Sequence, residues 1–149
     1  MENASLGRRL GAILYDGLLL FALLCAGTVP FVLLSGGEVE PGTLVHQLTL
    51  LAISWGFFAG FWSRYGRTLG LQSWRLRIET FDGHRPSLLR STVRFFAAIL
   101  SWLPAGLGFW WQLWDPERLA WHDRLSGTRL RRVADERTAR ATAHPPESA

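Results

Sequence analysis

The pair Arg8-Arg9 opens an apolar run that continues to Leu34. One carboxylate, Asp16, sits seven residues beyond Arg9, and Thr28 and Pro30 are the later breaks. The run exceeds the roughly 20 residues that a helix needs to cross the hydrocarbon layer of a bilayer. At 1.5 Å per residue, Asp16 then lies about 10 Å deeper than Arg9. A carboxylate at that depth is costly unless it is paired, hydrated or protonated, so the rest of the chain must accommodate it. Positions 9, 12, 13, 16 and 20 fall on one helical face, which points Arg9 and Asp16 the same way with small Ala12 between them. Two readings follow for the pair. It is a mutual, buried clamp, or Arg9 snorkels and Asp16 makes an internal hydrogen bond.

Composition narrows the setting. Hydrophobic residues make up 48% of the 149, gathered in blocks rich in Gly, Trp and Phe. That mixture suits membrane helices and their interfaces. All 16 basic residues are arginine, which removes lysine Schiff-base chemistry, and the net charge is +4. The arginines flank apolar segments, so anionic headgroups rather than nucleic acid are the expected counter-charge. Cys25 is the single cysteine; it permits no internal disulfide and no multi-cysteine metal site. Asp16 inside the apolar core, and Leu24 directly before Cys25, speak against a cleaved leader, and the first run is read as a retained helix.

In chain order, Ser5 is a candidate cap for a first span over about residues 10–34, frayed or kinked near Pro30. Residues 35–42 form a turn-rich loop with two acids and no base. A second span covers about 44–62. Ala52, Gly56 and Gly60 recur on one face of it, a stripe that lets another helix approach closely. The first helix of the same chain is the expected user, a homodimer the second choice. His46 and Gln47 sit at its outer end as interfacial residues. Residues 63–94 hold seven arginines against Glu79 and Asp82. The positive-inside rule puts this connection in the cytoplasm, with the N-terminus, and the 35–42 loop outside. Within it, 74–81 alternates polar and apolar as a strand does, Asp82-Gly83 marks a tight turn, and Ser87 caps a following helix.

Residues 95–114 form a third apolar stretch, long enough to span. One more crossing, however, would export the seven arginines of 115–140. Pro104, Gly106 and Gly108 suit a break between two short helices. A hairpin that dips into the membrane and returns is therefore expected, with a true third span as the alternative. Trp102, Trp110, Trp111 and Trp114 would anchor it at headgroup level. Residues 129–133 are a second strand candidate able to pair with 74–81, and 134–149 read as a disordered tail. The fold class is thus an all-α membrane protein: two spans, a dipping hairpin and a small cytoplasmic β element, organised as a membrane domain over 1–133 plus the tail.

The triplet His122-Asp123-Arg124 lacks an adjacent activated nucleophile. Ser126 has no oxyanion motif beside it, and the chain holds no phosphate-cradling glycine loop and no metal-ligand spacing. Neither enzyme activity, cofactor nor metal is expected.

These pieces together resemble the RDD family of prokaryotic membrane proteins, which is named for one arginine and two aspartates. Arg9 and Asp16 fit the arginine that opens the first helix and the aspartate within it; Arg8 is an alternative for the arginine. Gly66-Arg-Thr-Leu-Gly70, then Leu76-Arg-Ile78, Asp82-Gly83 and Arg85-Pro86-Ser87, are similar to the family's segment after its second helix. Trp121-His-Asp-Arg-Leu-Ser-Gly-Thr128 looks like its closing motif, which makes Asp123 the second aspartate, with His122 and Arg124 in support. The resemblance covers about 6–133. It implies a multi-pass protein of the prokaryotic inner membrane, and the arginine distribution puts both termini in the cytoplasm. It also implies transport of an unidentified ligand, with cation/proton exchange proposed for some members. A non-catalytic accessory, assembly or partner-binding module is the alternative. Two spans and a hairpin enclose little volume, so the lipid bilayer and either a homo-oligomer or a membrane-protein partner are the expected associates.

Overall fold

The computed structural model describes residues 6–34, 36, 43–103, 106–117 and 119–133. Helix α1 runs over Leu6–Leu34 and α2 over Leu44–Tyr65, followed by a short α3, Leu69–Ser73. Strand β1, Leu76–Thr80, leads to α4, Leu88–Trp102. Then come α5, Leu107–Trp110, a single 3-10 turn at Trp111–Leu113, α6, Trp121–Ser126, and β2, Thr128–Arg132. The cap expected of Ser5, most of the 35–42 loop, Pro104 and the 134–149 tail lie outside the described residues.

Both long helices are apolar enough and long enough to cross a membrane. Large apolar side chains on α1 stand bare, Leu14 at 68% exposure and Phe21 at 68%. Such a surface is costly in water and free of cost in hydrocarbon, which needs no shielding from it. Helix α1 continues through Pro30 to Leu34. Helix α2 stops at Gly66, whose positive φ of 68° forms the left-handed cap and whose N–H reaches Trp62 O at 2.9 Å. A side chain there would press on the Ile78 carbonyl, so glycine both ends α2 and seats it on β1.

The expected strands are present. Strands β1 and β2 pair antiparallel from Leu76↔Arg132 to Thr80↔Thr128. Leu76, Ile78 and Leu130 face inward, while Arg77 faces out, the alternation that period 2 requires. Ser87 caps α4, accepting from Arg90 N at 3.3 Å. These elements close over a small core of Ala12, Trp62, Leu71, Ile78, Phe95 and Leu130. That core lies where the N-terminal part of α1 meets the C-terminal part of α2.

The third apolar stretch is not one helix. Helix α4 ends at Trp102, Gly106 adopts a φ of 76°, and α5 starts at Leu107. Helix α5 folds back so closely that a Cβ on Gly108 would sit 2.9 Å from the Ser101 backbone. Trp102, Trp110, Trp111 and Trp114 remain exposed around this reversal.

One packing expectation is corrected. Ala52 and Gly56 are exposed, and a Cβ on Gly56 or Gly60 meets nothing within 4 Å. The small-residue stripe therefore does not receive α1. The close approach falls instead at Gly27, where a Cβ would lie 2.4 Å from Ile53 Cδ1. Period-four spacing marks a smooth face but not which way the helix turns it. Where the C-terminal part of α1 meets the start of α2, Thr28 Oγ1 lies 3.2 Å from His46 Nε2, and the His46 ring packs on Phe31.

Candidate functional site

Asp123 is the hinge of a charged cluster that joins both ends of the described chain. It sits at the third position of α6, where its Oδ2 accepts from Ala120 N at 3.0 Å. A carboxylate reaching back to the start of its own helix satisfies a donor that the helix cannot. The same oxygen accepts from Arg9 Nη1 at 2.9 Å, which ties α1 to α6. The other oxygen, Oδ1, lies 2.6 Å from Arg94 Nη1 on α4 and 3.7 Å from His122 Nε2. Arg94 Nη1 also donates to Thr128 Oγ1 at 2.6 Å, and that hydroxyl lies 2.6 Å from Ser126 Oγ. The Arg94 guanidinium stands 5.5 Å over the Trp62 ring, a favourable cation–π geometry.

The cluster is dry. Asp123 is 0% exposed, Arg9 3% and Arg94 4%. Burial alone would raise the Asp123 carboxyl. Arg94, then His122 and Arg9, outweigh it and hold the group below the usual carboxylate range. Burial pushes the His122 imidazole down to about 4, against the pull of Asp123, so it is neutral at pH 7. Its Nδ1 is buried without a hydrogen-bond partner among the described residues.

Asp16 is solved separately. Its carboxylate takes the Thr68 hydroxyl on one oxygen and the Gly70 N–H, at 2.8 Å, on the other. Thr68 is the N-cap of α3 and accepts from Leu71 N at 3.3 Å. Asp16 thus pins α1 to the first turn of α3, whose amides are unsatisfied by the helix itself. The clamp expected between Arg9 and Asp16 is corrected accordingly: Arg9 makes its ion pair with Asp123. One helical face carries both residues, yet about 10 Å of rise separates them, and each finds its own partner. Gly70 leaves room for this contact, since a Cβ there would lie 2.5 Å from Ala12 O.

The supporting residues divide. Arg9 rather than Arg8 is the buried arginine, Arg8 being half-buried. Arg124 points away, to Asp115 Oδ1 at 2.5 Å, and is half exposed. Among the described residues, no three His, Cys, Asp or Glu side chains converge as a metal site would need. Sequence reasoning missed Arg94, Thr68, Gly70 and Thr128. Thr68 and Gly70 lie inside the Gly66–Gly70 block that carried the resemblance, so their signal was a motif without an assigned role. Arg94 is the last charge before an apolar stretch and carried no signal beyond that.

In front of the cluster lies a cavity of about 650 Å³. Helix α1 packs on α2 and α3, and α4 packs on α2 and α6; the cavity occupies the space between α1 and α4. Arg9, Asp16, Arg94 and His122 are its polar lining residues, and Phe58, Ile13, Phe95, Ile99 and Trp102 supply apolar wall.

The RDD family model matches residues 3–127. No curated protein and no solved structure matches the chain. With that match over most of its length and two long apolar helices, the chain belongs to the RDD family and is a membrane protein.

Proposed function

We propose that this protein is a non-catalytic binding module of the prokaryotic cell membrane, with the cavity between α1 and α4 as its ligand site. The carrying observation is the cavity itself: about 650 Å³, apolar along its walls and polar where the Arg9–Asp123–Arg94 cluster closes it. A largely apolar chamber with a few convergent polar groups is the usual form of a small-molecule site. The cluster's charges are satisfied by one another, which suits a rigid frame rather than reacting groups. The arginine distribution favours a multi-pass arrangement with residues 63–94 and 115–149 in the cytoplasm and α4–α5 as a hairpin that enters from that side. The module works with the bilayer and with a second copy or another membrane protein. Purification in mild detergent with mass spectrometry of co-purifying molecules tests the reading. A small apolar or amphipathic species at one per chain is expected, and repeated recovery of the chain with no such species would overturn it.

A transport role is the second reading, and one observation favours it: Asp16, the one carboxylate among the lining residues, stands seven residues beyond Arg9 in the apolar run of α1. Proton-coupled cation flux in reconstituted vesicles, abolished by Asp16→Asn in a normally folded protein, would select transport. Flux absent from the wild type would remove it.

A further inference from the structure

We propose that the cavity takes one acyl chain of an anionic lipid from the bilayer leaflet on the arginine-rich side, its headgroup resting against Arg94 and Arg9. The inference rests on the cavity being a ligand site and names what fills it. Three observations carry it.

The first is the way in. The walls come from Ile13 and Gly17 on one helix and from Ala98, Ile99 and Trp102 on the other. Both helices present exposed apolar side chains to their surroundings, Leu14 and Leu18 on α1 and Phe96 and Leu100 on α4. A gap between two such helices faces hydrocarbon, so a lipid tail enters sideways without crossing water.

The second is depth. From Arg9 to Gly17 the lining extends eight residue steps along α1, about 12 Å at 1.5 Å per residue. That approaches the roughly 15 Å thickness of one leaflet's hydrocarbon, half of about 30 Å. The arginine end lies at the level of Arg9, next to the arginine-rich side; deeper in, the walls are apolar except at Asp16, whose two oxygens are held by Thr68 and Gly70. A lipid of that leaflet has the same polarity along its length.

The third is charge. Arg9 and Arg94 are among the residues at the polar end, 3% and 4% exposed, while the carboxylate between them, Asp123, is 0% exposed and outside the lining. The two arginines share that single carboxylate, so the cluster turns a net positive charge toward an incoming headgroup. The one carboxylate in the lining, Asp16, stands about 10 Å further along α1. Both of its oxygens are engaged, by Thr68 and Gly70. Arginine suits a phosphate oxygen pair better than any other side chain.

Gly17 supplies the test. It lines the cavity, and a Cβ added there meets nothing within 4 Å, so Gly17→Phe fills the chamber from a helical position that tolerates a side chain. Native mass spectrometry of the purified protein, titrated with phosphatidylglycerol and phosphatidylcholine of identical chains, reads the binding. Wild type should bind one phosphatidylglycerol at least tenfold more tightly than phosphatidylcholine. Gly17→Phe should lose at least tenfold of that affinity while its lipid-free melting temperature stays unchanged. Should Gly17→Phe fail to fold, Gly17→Leu serves with the same expectation. Equal binding of the two lipids, lost in Gly17→Phe, would overturn the anionic headgroup and leave the chamber standing as a ligand site. Phosphatidylglycerol binding that ignores Gly17→Phe would place the lipid on outer arginines and overturn the assignment. Displacement of the lipid by tetraphenylphosphonium, abolished by Asp16→Asn, would overturn it in favour of a lipophilic cation.

Discussion

Asp123 and Asp16 are both buried carboxylates of α-helices, and the chain accommodates them by opposite means. Asp123 is flanked by full positive charges; Asp16 is met by a hydroxyl and a backbone amide. Asp16→Asn retains one acceptor oxygen, so its expected cost is about 1.5–3 kcal/mol, the net worth of one hydrogen bond to a charged group. Thermal melting in detergent checks this, and a loss several times larger would mean that the ionised form holds α3 in place. His122 gives the cluster a pH dependence. Its folded-state pKa is about 4 against an ordinary 6.5. A histidine kept neutral by burial adds stability that is whole above pH 6.5 and is lost as pH falls toward 4. The loss amounts to roughly 3 kcal/mol at 1.36 kcal/mol per pH unit. The depressed Asp123 carboxyl gives way only below that window. Melting temperatures between pH 7 and pH 4 should fall in the wild type and fall less in His122→Leu. Equal slopes would show that another group titrates there.

Among the elements, close approach is set by glycines whose neighbours the sequence does not reveal. Gly27 and Gly70 touch Ile53 and the α1 backbone respectively, while Gly56 and Gly60 touch nothing. Gly27→Leu should therefore lower the melting temperature, with a cost of about 1–3 kcal/mol as for other overpacked sites. Gly56→Leu should melt like wild type. The reverse order would mean that the α2 stripe is buried against another copy. What was legible followed from strong local chemistry. The two apolar helices, the alternation of 76–80, the Ser87 cap and the break after Trp102 are each written within a few residues. What was not legible is nonlocal. Nothing near Asp16 in the chain announces Thr68, which is 52 positions away, or that Arg9 reaches 114 positions to Asp123. Arg9 and Asp16 stood out because charge in an apolar setting is expensive, whereas Asp123 was legible only through the resemblance of 121–128 to the family's closing motif. Their pairing depends on where α3 and α6 dock, and packing decides that.

At the scale of the molecule, α1 and α6 lie at opposite ends of the sequence, and a single carboxylate binds them together with α4. The membrane arrangement proposed above predicts that, in a Cys25→Ser background, Gly36→Cys reacts with an impermeant thiol reagent in intact cells and Glu117→Cys does not. Labelling at 117 would make residues 95–114 a crossing segment. Arg9, Asp123 and Arg94 form a latch that ties α1, α4 and α6 together at the cavity's polar end. Removing one member of a buried ion pair typically costs about 3–5 kcal/mol, and replacing both members costs much less. Thermal melting of wild type, Asp123→Asn, Arg9→Gln and the double variant in one detergent is the direct measurement. Asp123→Asn should melt far lower, with part of the stability restored when Arg9→Gln is added. An Asp123→Asn protein that melts with the wild type would contradict the latch.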